Sequence, residues 1–420
     1  MKILFIHQNF PGQYRHLAAT LATDKRIQVV GLGEANNLKK NMKLPGVTRV
    51  GYPSPATSQQ QTHHYVKPLE SAVRRGQAVV RACMDLKKRG FVPDIVYAHP
   101  GWGEALFLRD IFPKAKITLY CEFYYRNQGA DVGFDPEFPS KLDDVFRVRI
   151  KNAPTLLSLE AADGGISPTH WQRDAFPAIY RDRIQVVHEG VDTDLMRPNP
   201  AAEVIIADRD NLKLTANDEI VTYIARNFEP YRGFHSFMRA LPALQKRRPN
   251  AHVLMVGGDG VSYGAQLPKG QTWKKKMLTE VGDRLDLSRI HILPPVPYET
   301  LLRIYQISSA HVYLTYPFVL SWSLLEAMSA GCALVASDTA PVREVITHGK
   351  NGWLTDFFDT EQLAATVDKV LSERKSKTMA AVRAQARQTV VERYDLRRVC
   401  LPRHLELLGM VPKGVAKNRG

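Results

Sequence analysis

The sequence has few of the features that mark secreted, metal-binding or membrane-spanning proteins. Its four cysteines occur singly and form no C-x-x-C pair, at Cys83, Cys121, Cys332 and Cys400. This spacing argues against a disulfide framework or a zinc site, and it favours a reducing cytoplasm. No apolar run approaches the roughly 18 residues of a membrane span. The first apolar run is ended by His7, too early for a secretory signal. We therefore expect a cytoplasmic protein.

A complete G-x-G-x-x-G fingerprint is also missing, because the segment GGDG at 257–260 carries only part of it. A nicotinamide or flavin site therefore lacks its main support. Two short segments resemble metal motifs only superficially. Asp192 and Asp194 lie in a polar loop after a predicted strand, and His63 and His64 lie in a loop rich in Gln and Thr. We predict no cofactor and no metal site.

Acidic residues are scarce in the first hundred positions, which contain 15 Lys and Arg but only 5 Asp and Glu. This segment therefore carries +10 of the chain's net charge of +15. Much of this charge lies on a predicted helix at 71–90, in the residues Arg74, Arg75, Arg81, Lys87, Lys88 and Arg89. Such a patch is either a solvated helix face or a contact for an anionic membrane or a phosphorylated substrate. We predict no nucleic-acid partner, because the chain has no RNP, zinc-finger or helix-turn-helix pattern.

Short apolar segments alternate with amphipathic helical patterns over most of the chain. In the first half, we predict strands at 2–8, 27–33, 94–99, 116–123 and 155–160. After a Pro-rich stretch at 196–204, we predict strands at 219–226, 252–258, 291–296, 311–316 and 332–338. This alternation is typical of parallel sheets covered on both faces. The sequence predicts an α/β protein with two doubly wound domains, residues 1–198 and 199–394, followed by a last helical segment.

Residues that follow predicted strands carry the candidate ligand groups, because ligands of such sheets bind beyond the carboxyl ends of the strands. Gly12 opens a loop into a helix, where backbone amides can face an anion. Arg226 closes a strand, and Arg232 precedes Gly233 and a helix. Two guanidinium groups there suit a pyrophosphate, since each engages oxygens bidentately. An ion pair between these arginines and Glu229 is the open alternative.

The segment PFVLSWSLLEAM at 317–328 contains a single charged residue, Glu326. The S-x-x-E spacing of Ser323 and Glu326 is that of a capping box. Glu326 could instead lie on the solvated side of a half-buried helix, or hold a pair of sugar hydroxyls beside a helix N-terminus. The backbone amides predicted to face a diphosphate at this helix start belong to Ser321, Trp322, Ser323 and Leu324.

Several of these segments together resemble glycosyltransferase family 4. The opening KILFIHQNFPGQYRHLAATLA is similar to the family's first strand, Gly-bearing loop and helix. The passage VVHEGVDTDLMRP resembles the segment between its domains, and IARNFEPYRG resembles its G-R…K-G motif with Arg232 at the lysine position. The stretch from 317 to 346 resembles the E-x7-E signature. HPGWGE and YCEFYYR are similar to a bacterial subgroup.

This resemblance implies a GT-B fold, in which two Rossmann-like domains face each other across a cleft. It also implies that the last helix, at about 395–420, packs back on the first domain. The implied activity is that of a retaining, metal-independent, hexosyltransferase-like enzyme whose donor is a nucleoside diphosphate sugar of UDP or GDP. Glu326 would contact the ribose, and Gly12 and Gly257 would take part in donor binding. Phe318 departs from the family, which has a sugar-binding glutamate at this position.

The resemblance also implies roles in the reaction. Arg226 and Arg232 would stabilise the negative charge that develops on the leaving diphosphate. In the family's usual mechanism the leaving phosphate takes the acceptor proton, so no strong protein base is required. The family's histidine has no counterpart in ITLYCEFYY, and His99 and Glu122 are the candidates that orient the acceptor.

The basic first domain predicts an anionic acceptor, such as a glycan or lipid-linked glycan, and a place in cell-envelope or exopolysaccharide synthesis. It also predicts peripheral contact with the inner face of an anionic membrane. Two alternatives stay open at this point. The replacement of the first motif glutamate by Phe318 favours a non-catalytic protein that only binds nucleotide sugars. The other alternative is a GT-B nucleotide-sugar epimerase, which needs no acceptor.

Overall fold

The protein is described by a computed structural model that covers residues 1–56, 61–207 and 209–410. The chain divides into two compact units. The first unit contains residues 1–189 and the segment from Cys400 onward, and the second contains residues 190–399. The predicted domain limits, residues 198 and 394, remain predictions. In the described part of the chain, no helix is both long enough and apolar enough to cross a membrane.

The first unit is built on a parallel sheet in the order β3-β2-β1-β4-β5-β6-β7. Its strands are β1 (Lys2–Ile6), β2 (Gln28–Glu34), β3 (Val47–Tyr52), β4 (Ile95–Ala98), β5 (Lys116–Tyr120), β6 (Gly164–Ser167) and β7 (Ile184–Val186). Successive side chains of a strand point to opposite faces. Accordingly, Leu4 and Ile6 join the apolar cluster on one face of the sheet, while Ile3 and Phe5 join that on the other. The sheet is therefore buried on both sides, as its unbroken apolar strands predict.

The helices of this unit include one that was predicted as a strand. They are α1 (Arg15–Leu21), α2 (Ala35–Lys40), α3 (Lys67–Lys88), α4 (Leu108–Ile111), α5 (Leu142–Lys151), α6 (Ala153–Ala161), α7 (His170–Ala175) and α8 (Ala178–Arg181). The strand prediction for 155–160 is wrong, because these residues lie in α6. Pro154 is well suited to the first turn of a helix. Thr155, Ser158 and Leu159 are buried and Leu157 is exposed, which is helical spacing.

The second unit has its own parallel sheet, in the order β12-β11-β10-β13-β14-β15, and a separate antiparallel pair, β8 and β9. The strands are β8 (Glu203–Ile206), β9 (Leu212–Thr215), β10 (Ile220–Asn227), β11 (His252–Gly258), β12 (Ile290–Leu293), β13 (Ala310–Tyr313), β14 (Leu334–Ser337) and β15 (Trp353–Thr355). The helices are α9 (Phe234–Arg247), α10 (Trp273–Val281), α11 (Tyr298–Ile307), α12 (Trp322–Ser329), α13 (Ala340–Arg343), α14 (Thr360–Ser372) and α15 (Lys377–Arg393).

Strand order changes direction beside β1 in the first sheet and beside β10 in the second. Such switch points open a crevice at the carboxyl ends of the strands, where α/β proteins bind ligands. The predicted α/β class with two Rossmann-like doubly wound sheets is confirmed. The residues that follow β1, β4, β5, β10, β11 and β13 are therefore the candidates for ligand binding.

The chain returns to the first unit at its end. Residues Leu396–Cys400 form a π-helical turn, and α16 (Leu401–Leu407) follows. Leu401 and Leu405 pack on the apolar cluster that contains Leu17 of α1. The Lys116 ammonium donates a hydrogen bond of 3.2 Å to the carbonyl of Leu407. The predicted helix at about 395–420 is thus shorter in the described chain, and residues 411–420 lie outside the described residues.

Candidate functional site

The first unit contains a histidine–carboxylate pair at the carboxyl ends of adjacent strands. His99 directly follows β4, Glu122 follows β5, and these two strands are hydrogen-bonded neighbours. The Gly101 amide donates to Nδ1 of His99 at 3.1 Å, which places the ring proton of the neutral histidine on Nε2. Nε2 of His99 lies 3.2 Å from Oε2 of Glu122. The structure therefore brings together the two residues predicted to orient the acceptor.

The Glu122 carboxylate is held on both oxygens. Burial raises the pKa of Glu122, but hydrogen bonds from His99 and Gln13 and the nearby His7 outweigh it, so the pKa is lowered. The Gln13 amide donates to Oε1 at 2.8 Å. Glu122 is therefore ionised near neutral pH and accepts hydrogen bonds.

Two aromatic rings pack against His99 of this pair, and neither residue was among the predicted site residues. The rings of His99 and Trp102 stack with centroids 4.2 Å apart, and His7 lies 5.2 Å from His99. Gly12 lies against His7: its φ is +46°, and a Cβ there would come within 2.9 Å of the His7 ring. Gly12 thus permits close packing of the loop on a histidine. His7 follows β1 as His99 follows β4, and this shared position could have identified it.

A buried carboxyl group, Glu104, was also missed. The Tyr52 hydroxyl donates to its Oε1 at 3.0 Å, and Nε of Arg75 lies 4.0 Å from the same oxygen. Burial raises the pKa of Glu104, although Arg75 partly opposes this. Arg75 also pairs with Glu34 at 3.2 Å. The HPGWGE segment contains both Trp102 and Glu104, so this motif could have identified both residues as part of the site.

The basic patch on α3 is smaller than predicted. Arg75 points into the network around Glu104, and Arg74 pairs with Glu70 one turn earlier in the helix. The exposed members of the patch are Arg81, Lys87, Lys88 and Arg89. The exposed positive charge is therefore concentrated in the second half of the helix and at its end, where Asp85 lies 3.8 Å from Lys88 and offsets part of it.

In the second unit, Arg232 lies in a short 3-10 turn after β10 and its side chain is buried. Its Nη1 donates to the Thr315 hydroxyl at 2.8 Å and to the Val319 carbonyl at 3.0 Å. Gly233 follows with φ +67°, and a Cβ there would meet Leu314 at 2.3 Å. Glycine at 233 is therefore required for the turn that delivers Arg232 to the loop after β13.

The charge of Arg232 is not neutralised by the predicted alternative, an ion pair with Glu229. The Glu229 carboxylate instead accepts hydrogen bonds from the backbone amides of Ser262, Tyr263 and Gly264 at 3.0–3.2 Å. In the described part of the chain, no carboxylate forms an ion pair with Arg232. Burial opposes its charge, but nearby Tyr313, Tyr263 and Glu229 outweigh this and raise its pKa. Arg232 is thus a buried cation whose direct partners are neutral.

Phe318 forms part of an aromatic wall beside this cation. Its ring centroid lies 4.8 Å from that of Tyr263 and 5.4 Å from that of Tyr231. The Arg232 guanidinium carbon lies 5.4 Å from the Tyr263 ring and 5.8 Å from the Phe318 ring. A glutamate at 318 would bring a negative charge to the guanidinium, whereas the phenyl ring leaves the positive charge available for an anion.

The start of α12 differs from the predicted capping box. Ser321, not Ser323, is the N-cap, and its hydroxyl accepts from the Ser323 amide at 3.3 Å. The helix begins two residues too early for Ser323 and Glu326 to form the box. The Ser321 amide donates to the Tyr313 hydroxyl at 2.9 Å, and the Leu324 amide donates to the Ser321 carbonyl at 3.2 Å. A diphosphate would have to replace these internal acceptors to bind the predicted amides.

Glu326 lies half-buried on α12, where its Oε1 accepts a hydrogen bond of 2.9 Å from the Tyr298 hydroxyl. Trp322, in the first turn of the same helix, is 42% exposed. Arg226 is exposed near the end of β10 and makes no hydrogen bond or ion pair with a described side chain. Gly257 lies near the end of the neighbouring β11, where a Cβ would meet the Phe228 ring at 2.8 Å.

The D-x-D segment is occupied by internal ion pairs. Asp192 pairs with Arg397 at 2.9 Å, and Asp194 pairs with Arg398 at 3.1 Å. Both aspartates thus tie the start of the second unit to its end. Over residues 1–56, 61–207 and 209–410, no group of three or more potential metal ligands comes together.

Two parallel Rossmann-like sheets, each with candidate ligand residues beyond its switch point, define the GT-B class. The structure is similar over 97% of the chain to Anabaena HepE in complex with UDP, at 16% identity with a TM-score of 0.70 over 100% of that protein. It is also similar to sucrose-phosphate synthase of Thermosynechococcus elongatus, at 17% identity with a TM-score of 0.71 over 97% of this chain and 98% of that protein. At such identities, these similarities establish the fold.

Models of protein families classify the chain more narrowly than its fold does. The model for the glycosyl transferase family 4 group matches residues 25–196, and that for glycosyl transferases group 1 matches residues 205–389. The chain belongs to glycosyltransferase family 4. The D-inositol 3-phosphate glycosyltransferase of Nocardia farcinica is 29% identical over 49% of this chain, and that of Mycobacterium sp. strain KMS is 30% identical over 45%. The matches cover 44% and 40% of these relatives, less than half of their length.

Proposed function

We propose that the protein is a retaining glycosyltransferase that moves a sugar from a nucleoside diphosphate sugar to a hydroxyl acceptor. The observation that carries the proposal is the buried, unneutralised guanidinium of Arg232 at the switch point of the second sheet. A cation in this position costs desolvation energy and is retained where an anion uses it. Family membership supports the same reading.

The second unit is assigned to the donor. Arg226 and Arg232 stabilise the charge that develops on the leaving diphosphate, and Arg226 is exposed and open to a ligand. Glu326, with one oxygen held by Tyr298, holds the ribose hydroxyls. UDP is the first candidate nucleotide, because HepE was solved with UDP and with UDP-glucose. GDP is the second. With two arginines for charge stabilisation, the reaction needs no metal ion.

The first unit is assigned to the acceptor. The ionised Glu122 accepts a hydrogen bond from the acceptor hydroxyl, and His99 holds Glu122 in place. The acceptor attacks from the face that the diphosphate leaves and gives its proton to the leaving phosphate, so the glycosidic configuration is retained. This assignment gives the histidine–carboxylate pair a positioning role rather than that of a general base.

We further propose that the acceptor is anionic, either a phosphorylated compound or a lipid-linked glycan in envelope or exopolysaccharide synthesis. The exposed Arg81, Lys87, Lys88 and Arg89 would contact the anionic acceptor or the membrane that carries it. The name of the Nocardia farcinica relative, D-inositol 3-phosphate glycosyltransferase, also contains a phosphorylated compound. Sedimentation with vesicles containing anionic lipid tests the membrane contact. Replacing these four residues by Glu abolishes binding if the proposal is right and leaves it unchanged if it is wrong.

The transfer itself is tested with UDP- and GDP-sugars and a panel of polyol phosphate and lipid-linked acceptors. We expect release of nucleoside diphosphate that depends on an acceptor, with an axial-to-axial or equatorial-to-equatorial product by NMR. Conversion of the donor without an acceptor would favour the epimerase. Binding of the donor with no turnover against any acceptor would favour the non-catalytic binding protein suggested by Phe318.

A further inference from the structure

The second unit has a cavity at the amino ends of its strands, whereas the proposed donor residues lie at the carboxyl ends. Arg226 and Arg232 lie at the carboxyl end of β10, whereas Ser308 and Ser309, which line the cavity, precede the first residue of β13. Because β10 and β13 are parallel neighbours, the cavity and the donor residues lie at opposite ends of these strands. The cavity has a volume of about 530 Å³. Ligand sites typically measure roughly 300–1,000 Å³, so it is large enough for a small molecule.

The walls of this cavity are positively charged. The cationic side chains that line it are Arg374, Lys375, Arg383 and Arg387. Among the described residues that line it, none is Asp or Glu. A concave surface with charges of one sign concentrates counter-ions of the other. The lining therefore favours an anion.

Two of these arginines have nitrogen atoms without partners. Arg383 donates from Nη2 to the Ser309 carbonyl at 2.8 Å, but its Nε is buried and has no hydrogen-bond partner within the described chain. The same holds for Nε of Arg374, although its Nη1 pairs with Glu219 at 2.7 Å. Burial, together with Arg374, lowers the pKa of Arg383. A buried unpaired donor is costly, and each such group requires an explanation.

The helix that carries Arg383 and Arg387 adds to the positive potential. α15 begins at Lys377, and its N-cap Ser376 lines the cavity. The N-terminus of a helix of this length carries a partial positive charge. Arg387, about three turns further on, donates to the carbonyls of Met196 and Ser329, which are neutral acceptors.

We propose that this cavity binds a small phosphate-bearing anion, at a site separate from the donor site. The ligand is either inorganic phosphate or a phosphorylated sugar, since both present the oxygens that guanidinium groups bind bidentately. The site also has a physical connection to α12, because Ala330 and Gly331, which line the cavity, directly follow this helix. This proposal does not depend on the proposed transferase reaction.

Isothermal titration with inorganic phosphate, pyrophosphate and glucose 6-phosphate tests the site. The main variant is Ala384→Glu, because Ala384 is exposed, lines the cavity and would place a carboxylate there without removing a native contact. Ala384→Gln is the control of matched size. We expect Ala384→Glu to weaken binding by about tenfold or more, because like charges repel. Ala384→Gln should change it less than about twofold, since a surface substitution without charge is nearly neutral.

Arg232→Ala separates the cavity from the donor site. Binding that persists in this variant and is lost in Ala384→Glu supports the cavity. Binding that is lost in Arg232→Ala and unchanged in Ala384→Glu would place the phosphate at the donor site and overturn the proposal. Failure of all three probes to bind the wild-type protein at millimolar concentration would also overturn it.

Discussion

Arg226 and Arg232 are assigned to the same anion, but Arg226 is exposed and Arg232 is buried. Because of this difference, their Ala variants should differ in stability while both lose nucleotide affinity. Arg232→Ala leaves the Thr315 hydroxyl and the Val319 carbonyl without their donor. We expect it to lower the free energy of unfolding by about 1–3 kcal/mol and to abolish binding of nucleoside diphosphate. Arg226→Ala should weaken binding but keep the stability within about 0.5 kcal/mol, as an exposed residue should. Urea unfolding and calorimetric titration measure both quantities. Unchanged nucleotide binding in both variants would remove the arginines from the donor site.

The pKa of Glu122 predicts how the first unit responds to acid. Because hydrogen bonds and nearby histidines outweigh burial, the folded pKa lies below the ordinary value. A depressed carboxyl pKa contributes stability above the unfolded pKa of about 4.3, and this contribution is lost as the pH falls through the folded pKa. We therefore expect the wild type to lose more stability on acidification through this window than Glu122→Gln. Denaturant unfolding at a series of pH values measures the difference. Parallel pH curves for the two proteins would contradict the prediction.

Individual site residues could be predicted from the sequence where they follow the end of a predicted strand. His99 and Glu122 each follow a strand, and the pairing of the two strands makes their contact a consequence of topology. Glu104 follows no strand directly, and its partner Tyr52 is distant in sequence, so their contact could not be predicted. The capping box failed for a different reason. Ser321 and Ser323 are both good N-caps, and only the position of the loop after β13 selects the first.

At the scale of the element, α12 connects the proposed donor residues with the second cavity, and its end is held by Gly331. This glycine has φ +85°, and a Cβ there would come within 2.9 Å of Pro198. Gly349 is a matched control, with φ +74° and open space around a Cβ. Gly331→Ala and Gly349→Ala should each lose about 1–2 kcal/mol for the left-handed backbone. Gly331→Ala should lose more, because Pro198 must move. Equal losses in urea unfolding would show that the contact with Pro198 has no energetic consequence.

The elements themselves could be predicted where apolar runs were short and bounded by turn residues. The strands that begin near Lys2, Ile95 and Ile220 are of this kind. The segment 155–160 was an apolar run of similar length, and length alone does not separate a buried strand from a helix. Pro154 was the overlooked signal, since proline at a first turn favours a helix.

At the scale of the whole molecule, the α/β class followed from the alternation of strands and helices, and the GT-B fold from the resemblance. The distribution of charge was harder to predict. Counting residues placed six cations on one helix, but Arg74 and Arg75 are used inside the first unit. The cationic cavity of the second unit was missed, because Arg374 and Arg383 are brought beside residue 309 by tertiary packing rather than by any sequence pattern.

The measurement that tests the central claim most directly is a thermal-shift panel with UDP, GDP, ADP and dTDP, free and sugar-linked. The proteins are the wild type, Glu326→Ala and the control Tyr298→Phe, which removes the hydrogen bond to Glu326 but keeps the carboxylate. We predict that one nucleotide raises the melting temperature of the wild type and of Tyr298→Phe, because binding to the folded state stabilises it. The shift should be clearly smaller in Glu326→Ala. No shift with any nucleotide, or the same shift in Glu326→Ala, would contradict the assignment of the second unit to the sugar donor.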